Sequence, residues 1–161
     1  MTPTWHVRHV RADEFESWSR LFRGYADFYH WPTSDDHQRQ IWGWIHERHL
    51  VEALVAIEVD ASGNELGELR GLAHLREWVR PLRGVVCGYL DDLFVDPTAR
   101  GTGVVDALFA QMSRIGEARG WPIIRWTTGD DNYRARAVYD QRATRTTWIT
   151  YDMPIPERLV G

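Results

Sequence analysis

Lysine is absent from the sequence of 161 residues, so that all 19 of its Lys and Arg positions are arginine. This absence excludes a Walker A phosphate loop, a Schiff base with pyridoxal phosphate and a lysine general base, because each needs the lysine amine. The formal net charge is −4 and no basic stripe is present. We therefore expect no nucleic-acid partner.

Cysteine and long hydrophobic stretches are also scarce. Cys87 is the single cysteine, so no disulfide can form within the chain, which favours a reducing compartment. No apolar run approaches the ~20 residues that span a bilayer. The first ten residues lack the apolar core of a signal peptide. We expect a cytoplasmic protein with no membrane partner.

The hydrophobic periodicity predicts one domain over residues 1–161 with the order β-α-α-β-β-β-α-β-α-β. Antiparallel strands precede a strand–helix–strand crossover, so the class is α/β or α+β, with a mixed, largely antiparallel sheet and about four helices. The predicted strands are 5–10, 50–59, 66–79, 85–95, 123–128 and 146–153. The first predicted helix is 12–29, and the second follows a cap at 33–36 and runs through Ile41, Trp42 and Ile45. The third has the face Val105, Leu108, Met112 and Ile115 and ends at Gly120, and the fourth has the face Ala135, Val138, Tyr139 and Arg142.

A loop with two glycines joins predicted strand 85–95 to the helix that follows it. Gly101 and Gly103 can aim successive N–H groups into one concavity at the positive end of that helix, where an anion such as a phosphate would bind. Arg100 adds positive charge. The alternative is a tight turn with a glycine cap. A Rossmann fingerprint is excluded, because Asp106 occupies the position of its third small residue.

Two segments together resemble the signatures of the GNAT acetyltransferase superfamily. Arg100-Gly101-Thr102-Gly103-Val104-Val105 is similar to the family's Arg/Gln-x-x-Gly-x-Gly/Ala motif for acetyl-CoA, with Val105 in place of a small residue. Asn132 to Tyr139 resembles its Asn-x-x-Ala-x-x-Leu-Tyr helix. Tyr89 to Val95 looks like a strand of the spermidine/spermine-type and of the yeast-type small-amine and histone acetyltransferases.

The resemblance implies acetyl-CoA as co-substrate. Pantetheine would pair with backbone groups of a strand that splays from its neighbour, and one N–H near Phe94 would stabilise the oxyanion. The residues that the resemblance assigns to the cofactor are Leu93, Phe94, Val95, Arg100, Gly101, Thr102, Gly103, Val104, Val105, Asn132 and Tyr139.

The catalytic candidates are an acid and a base. By resemblance, Tyr139 protonates the departing thiolate; the alternative is a core tyrosine. The acceptor ammonium must lose a proton, and Asp91 or Asp92 could take it, directly or through a water. We expect Asp91 to be the base and Asp92 to bind substrate. Successive strand residues point to opposite faces, so only one carboxylate faces the site unless the strand has a bulge.

The aromatic stretch Tyr25, Tyr29 and Trp31 is a candidate pocket for a cationic acceptor, with Asp35 and Asp36 nearby. The alternative is the core face of a helix followed by an exposed cap. The segment His46 to His49 lacks the spacing of a zinc helix, so it predicts no metal site.

These observations predict an acetyl-CoA-dependent N-acetyltransferase that acts directly on a primary amine, a small cation such as a polyamine or an amino-acid-like compound. Cys87 has no activating base nearby in sequence, which disfavours an acetyl-cysteine intermediate. The alternatives are a non-catalytic acyl-CoA sensor and a protein lysine or N-terminal acetyltransferase. A homodimer through residues 146–155 is a further expectation from the resemblance.

Overall fold

The computed structural model describes residues 3–155, which divide after Thr127 into two compact units, residues 3–127 and 128–155. The first unit contains five strands and three helices, in the order β1 (Thr4–His9), α1 (Phe15–Phe28), α2 (Asp35–His46), β2 (Glu52–Val59), β3 (Glu65–Arg80), β4 (Val85–Val95), α3 (Val104–Arg119) and β5 (Ile124–Arg125). The second contains α4 (Tyr133–Tyr139). The prediction of one domain stays a prediction.

The five strands of the first unit form one mixed sheet in the order β1-β2-β3-β4-β5. Pairing is antiparallel from β1 to β4, and β5 joins β4 in parallel. The α+β class with four helices in residues 3–155 is therefore confirmed. Crossover helix α3 connects the parallel pair, because parallel neighbours cannot be joined by a tight turn.

Each face of the sheet carries its own hydrophobic core. Val104, Leu108 and Met112 of α3 pack on one face. Trp18 and Phe22 of α1 pack with α2 on the other face. Strand β2 contributes to both cores by alternation, with Leu54 and Ala56 toward α3 and Ala53, Val55 and Ile57 toward α1 and α2.

A β-bulge in β4 interrupts this alternation. His74 of β3 pairs with Asp92, but the next residue, Leu75, pairs with Leu90, so Asp91 is an extra residue in β4. Leu90 and Leu93 both pack toward α3, although they are three residues apart. The bulge therefore places both carboxylates between them toward the face that α1 and α2 cover.

The predicted last strand, 146–153, is wrong: from residue 140 to 155 the structure has no helix or strand. The apolar side chains of this segment are exposed, namely Trp148, Ile149, Tyr151, Met153 and Ile155. A strand needs a hydrogen-bonding partner, which side-chain pattern alone does not supply. The predicted strand 123–128 is shortened to Ile124–Arg125. The homodimer stays a prediction.

Candidate active site

Asp92 is held by a buried chain of hydrogen bonds from α1 through β3 to β4. The Trp18 indole N–H donates to His74 Nε2 over 3.0 Å, and His74 Nδ1 lies 2.7 Å from Asp92 Oδ2. An indole N–H only donates, so Nε2 accepts, and the ring proton of His74 is on Nδ1 and is donated to Asp92. Tyr25 makes a further hydrogen bond to the same carboxylate.

Asp91 has a different partner. Arg76 Nε donates to both of its carboxylate oxygens, at 2.8 and 3.2 Å. The guanidinium lies over the Tyr89 ring, 4.6 Å from the centroid. This ion pair is partly open to solvent, with the Asp91 side chain 31% and the Arg76 side chain 40% exposed.

The two neighbouring carboxylates therefore differ in acidity. Burial raises the pKa of Asp91, the Asp92 charge adds to this effect, and Arg76 opposes it without reversing it. Burial also acts to raise the pKa of Asp92, but the hydrogen bonds from His74 and Tyr25 outweigh it, so that this pKa lies below its usual value. Asp92 is the persistent anion of the pair and Asp91 is the better proton acceptor.

Both carboxylates line one cavity of about 670 Å³, here called the acceptor groove. His74 and Arg76 also line this cavity, because residues two positions apart on a strand point to the same face of the sheet. The aromatic side chains of the lining come from α1, α2 and the loop between them, namely Phe22, Tyr25, Tyr29, Trp31 and Trp44. The groove is thus an apolar cavity with a few charged groups, as is usual for small-molecule sites.

The three aromatic residues singled out from the sequence, Tyr25, Tyr29 and Trp31, all line the acceptor groove. Asp35 and Asp36 do not. They lie exposed in the first turn of α2, which Ser34 caps by accepting a hydrogen bond from the His37 N–H. Acidic side chains in the first turn of a helix interact favourably with the helix dipole, so these two residues have a structural role.

The glycine loop has the backbone geometry required for an anion cradle. Gly101 and Gly103 have φ of +79° and +93°, in the region that side chains disfavour. Gly103 is the N-cap of α3, so the N–H groups that have no carbonyl partner within the helix ladder begin here. The backbone carbonyl of Thr102 accepts a hydrogen bond from the Trp5 indole N–H over 2.9 Å, and this bond holds the loop in place. Arg100 Nε donates back to the Val95 carbonyl, at 3.3 Å.

The remaining residues of the motif support this turn. Val104 is buried in the α3 core, and Val105 packs against the same core although it is partly exposed. The Val105 side chain therefore makes packing contacts with this core that glycine, which has no side chain, could not make.

Strands β4 and β5 separate beyond their second paired position. Their ladder joins Gly88 to Ile124 and Tyr89 to Arg125 and ends there, while β4 continues to Val95. The edge of Leu93, Phe94 and Val95 that faces away from β3 therefore has no β5 partner. An extended ligand with amide groups, such as pantetheine, suits such an edge.

Two other sequence features can now be judged. Cys87 is fully buried in β4, which leaves its thiol no access to a substrate. Helix α2 ends at His46, so the segment through His49 is not a helical metal-binding pair. No helix in residues 3–155 is long and apolar enough to cross a membrane.

Asn132 and Tyr139 lie in the second unit, at the two ends of α4. The Asn132 side chain accepts a hydrogen bond from the Ala135 N–H over 3.2 Å, so it caps α4. Tyr139 is partly buried and is the last residue of α4. Their contributions to acetyl-CoA binding and catalysis stay predictions.

Sequence reasoning did not single out two residues of the groove, His74 and Arg76, or the buried Trp18 that donates to His74. All three lie in apolar or alternating stretches in which they resemble core or surface positions. The signal that could have found them is the register of β3 against β4, which places His74 opposite Asp92 and Arg76 opposite Tyr89.

The mixed sheet with its diverging parallel pair and the glycine turn before α3 are features of an acyl-CoA-dependent transferase. The chain belongs to the acetyltransferase (GNAT) family, whose sequence model matches residues 7–143. It is an acetyl-CoA-dependent N-acetyltransferase.

Among curated proteins, the chain is 25% identical over 146 residues to the D-amino-acid N-acetyltransferase HPA3 of Saccharomyces cerevisiae, covering 90% of this chain and 88% of the yeast protein. Among solved structures, a ribosomal-protein-alanine N-acetyltransferase from Brucella melitensis biovar Abortus 2308 aligns with a TM-score of 0.75 at 22% identity, covering 94% of this chain and 99% of that one. The aminoglycoside N-acetyltransferase AAC(6')-Iy, in complex with CoA, aligns with a TM-score of 0.79 at 18% identity, covering 96% and 97%. The two solved structures establish the shared fold.

Proposed function

We propose that this enzyme transfers the acetyl group of acetyl-CoA directly to the primary amine of a small cation, a polyamine or an amino-acid-like compound, bound in the acceptor groove. The observation that carries the proposal is the pair Asp91 and Asp92, which the bulge directs into one aromatic-lined cavity. Carboxylates and aromatic faces both attract an ammonium group. Similarity to a yeast enzyme named for D-amino acids supports the amino-acid-like acceptor.

The two carboxylates have different roles toward the ammonium group of the acceptor. An alkyl ammonium with a pKa of about 10.4 is not nucleophilic until it loses a proton. Asp92, held as a carboxylate by His74, binds the cation. Asp91, whose pKa burial raises, accepts the proton.

Acetyl transfer then follows on the cofactor side. The amine nitrogen bonds to the thioester carbonyl carbon while a backbone N–H near Phe94 stabilises the oxyanion. The C–S bond breaks, and Tyr139 protonates the CoA thiolate. The nitrogen loses two protons and the sulfur gains one, so the reaction releases one proton overall. The loop Arg100 to Val105 holds the pyrophosphate of CoA, and Asn132 steadies the thiol end of the cofactor.

Release of free thiol from acetyl-CoA, followed with a panel of amines, tests the proposal. At least one small cationic amine should accelerate release well above hydrolysis by water. Acetyl-CoA binding without acceleration by any amine would contradict the proposal and favour a non-catalytic sensor. Acceleration only by a peptide lysine or amino terminus would favour protein acetylation.

A further inference from the structure

Arg76 is the only arginine among the residues that line the acceptor groove. Two contacts fix its orientation: Nε donates to Asp91, and the guanidinium face lies over the Tyr89 ring. The hydrogen bond uses the in-plane Nε–H and the ring contact uses the planar face, so neither contact uses the N–H groups of Nη1 and Nη2. The arginine is therefore pre-positioned rather than free to move through solvent.

The outer edge of this guanidinium remains open. Within residues 3–155, Nη1 and Nη2 of Arg76 make no hydrogen bond, although the side chain is 40% exposed and lines the cavity. Two parallel N–H groups on a planar fork match the two oxygens of a carboxylate. Arg76 thus offers a site for an anionic group next to the carboxylates that attract a cation.

An α-amino acid carries an ammonium and a carboxylate on one carbon. We propose, resting on the proposed function, that the acceptor is an amino acid with a large apolar side chain, whose carboxylate binds Arg76 and whose ammonium binds Asp92 next to Asp91. The group that reacts is the α-amine.

The rest of the groove selects the side chain of this amino acid. Beyond the charged end it is lined by aromatic and aliphatic groups from α1, α2 and the segment before β2, including Phe22, Tyr29, Trp31, Ile41 and Trp44. A cavity of about 670 Å³ accommodates an aromatic side chain.

A polyamine fits this lining less well. Its second ammonium would need another carboxylate along the cavity, and among the lining residues the only carboxylates are the adjacent Asp91 and Asp92. The aromatic faces there would compensate less for the desolvation of a second ammonium than a carboxylate would.

The experiment is a matched series of acceptors with the full-length enzyme and acetyl-CoA, followed by thiol release. Phenylalanine, as both enantiomers, is compared with phenethylamine, which lacks only the carboxylate, with alanine, which lacks the ring, and with spermidine. For the faster enantiomer, kcat/KM should exceed that of phenethylamine by about 10- to 100-fold, the usual contribution of a charge-assisted contact. Alanine should be slower by a similar factor because it buries little apolar surface.

A variant assigns the carboxylate effect to one side chain. In Arg76→Gln the ratio of phenylalanine to phenethylamine should fall to near one, even though the loss of the Asp91 contact slows both acceptors. Arg80→Gln is the matched control, because Arg80 lies on the same strand over Trp78 and does not line the groove. It should keep the wild-type ratio.

The outcomes separate the two proposals. Equal rates with phenethylamine and phenylalanine, a preference for spermidine, or an unchanged ratio in Arg76→Gln would overturn the amino-acid acceptor and leave the acetyltransferase of small amines standing. The wild-type series decides the question even if the variant does not fold. No acceleration by any acceptor would overturn both.

Discussion

His74 Nδ1 lies 2.7 Å from Asp92 Oδ2, although the two residues are 18 positions apart in the chain. Trp18 holds the other ring nitrogen of His74, so the imidazole has a single orientation and presents its proton to the carboxylate. His74 is a positioning residue, since it acts on the acceptor through Asp92.

Replacing His74 by phenylalanine should shift the pH dependence of the enzyme. The variant keeps a ring but removes the donor, so burial will dominate and the pKa of Asp92 will rise. The acidic limb of kcat/KM for the amine should then move to higher pH. The Trp18 indole loses its acceptor, and the free energy of unfolding should fall by about 1–3 kcal/mol. In Trp18→Phe the acidic limb of the pH profile should move by a smaller amount. If the limb stays at the parent pH in His74→Phe, His74 has only a packing role.

Asp91→Asn should separate proton transfer from binding of the cofactor. The amide cannot accept the ammonium proton, so kcat should fall about 10²- to 10⁴-fold and the KM for the amine should rise. The dissociation constant of acetyl-CoA should stay nearly constant. Asp91 is partly exposed, so stability should change little. A variant as fast as the parent enzyme would remove Asp91 from the mechanism.

Gly103→Arg should abolish acetyl-CoA binding in a folded protein, because the side chain would occupy the expected phosphate cradle. Its φ of +93° adds backbone strain, so a control with equal strain is needed. Gly63→Arg provides it: Gly63 has φ of +84° in the turn between β2 and β3, where a side chain meets open space. Calorimetric titration should show binding in Gly63→Arg and none in Gly103→Arg. Equal affinities would mean that the loop is only a turn.

Tyr139→Phe should lower kcat about 10²- to 10⁴-fold with a much smaller change in the KM for acetyl-CoA, if the hydroxyl protonates the thiolate. Tyr133→Phe is the control on the same helix, since Tyr133 is 73% exposed. Both variants should unfold at nearly the parent temperature. Full activity in Tyr139→Phe would leave its ring as a structural group.

Acid should destabilise the fold through Glu65. The Arg8 hydrogen bond, with help from Arg11, lowers the pKa of Glu65 from 4.5 to about 2. A lowered native pKa stabilises the protein above pH 4.5, and this stabilisation is lost as the pH falls toward 2. Glu65→Gln should unfold more easily at pH 7 and show a flatter loss of stability between pH 4.5 and 2. Glu68→Gln, whose side chain is 62% exposed, should follow the parent profile.

Strands β1 to β4 and the four helices of residues 3–155 were predictable because their hydrophobic periodicity is a local property of the chain. The bulge was not assigned from the sequence. Its signal is that Leu90 and Leu93, which face the same core, are three positions apart, whereas regular alternation in a strand places such residues two positions apart. The predicted strand 146–153 failed for the opposite reason, since a strand depends on a partner that the local sequence does not encode.

The site was predictable only in part. Asp91, Asp92 and the aromatic lining residues are recognisable from a motif and from helix spacing. The relay through His74 and the open edge of Arg76 depend on how β3 pairs with β4, which is a long-range property of the sheet.

The bulge at Asp91 makes the length of β4 as important as its composition. Deleting one residue between Leu90 and Leu93 would restore regular alternation, and the remaining aspartate would still lie on the groove face. Such a deletion would also make the pairing with β3 regular, with the remaining aspartate opposite His74 and Leu90 opposite Leu75, and it would leave one carboxylate where the groove now has two. The number of residues in this part of the strand therefore sets the number of carboxylates that face the groove.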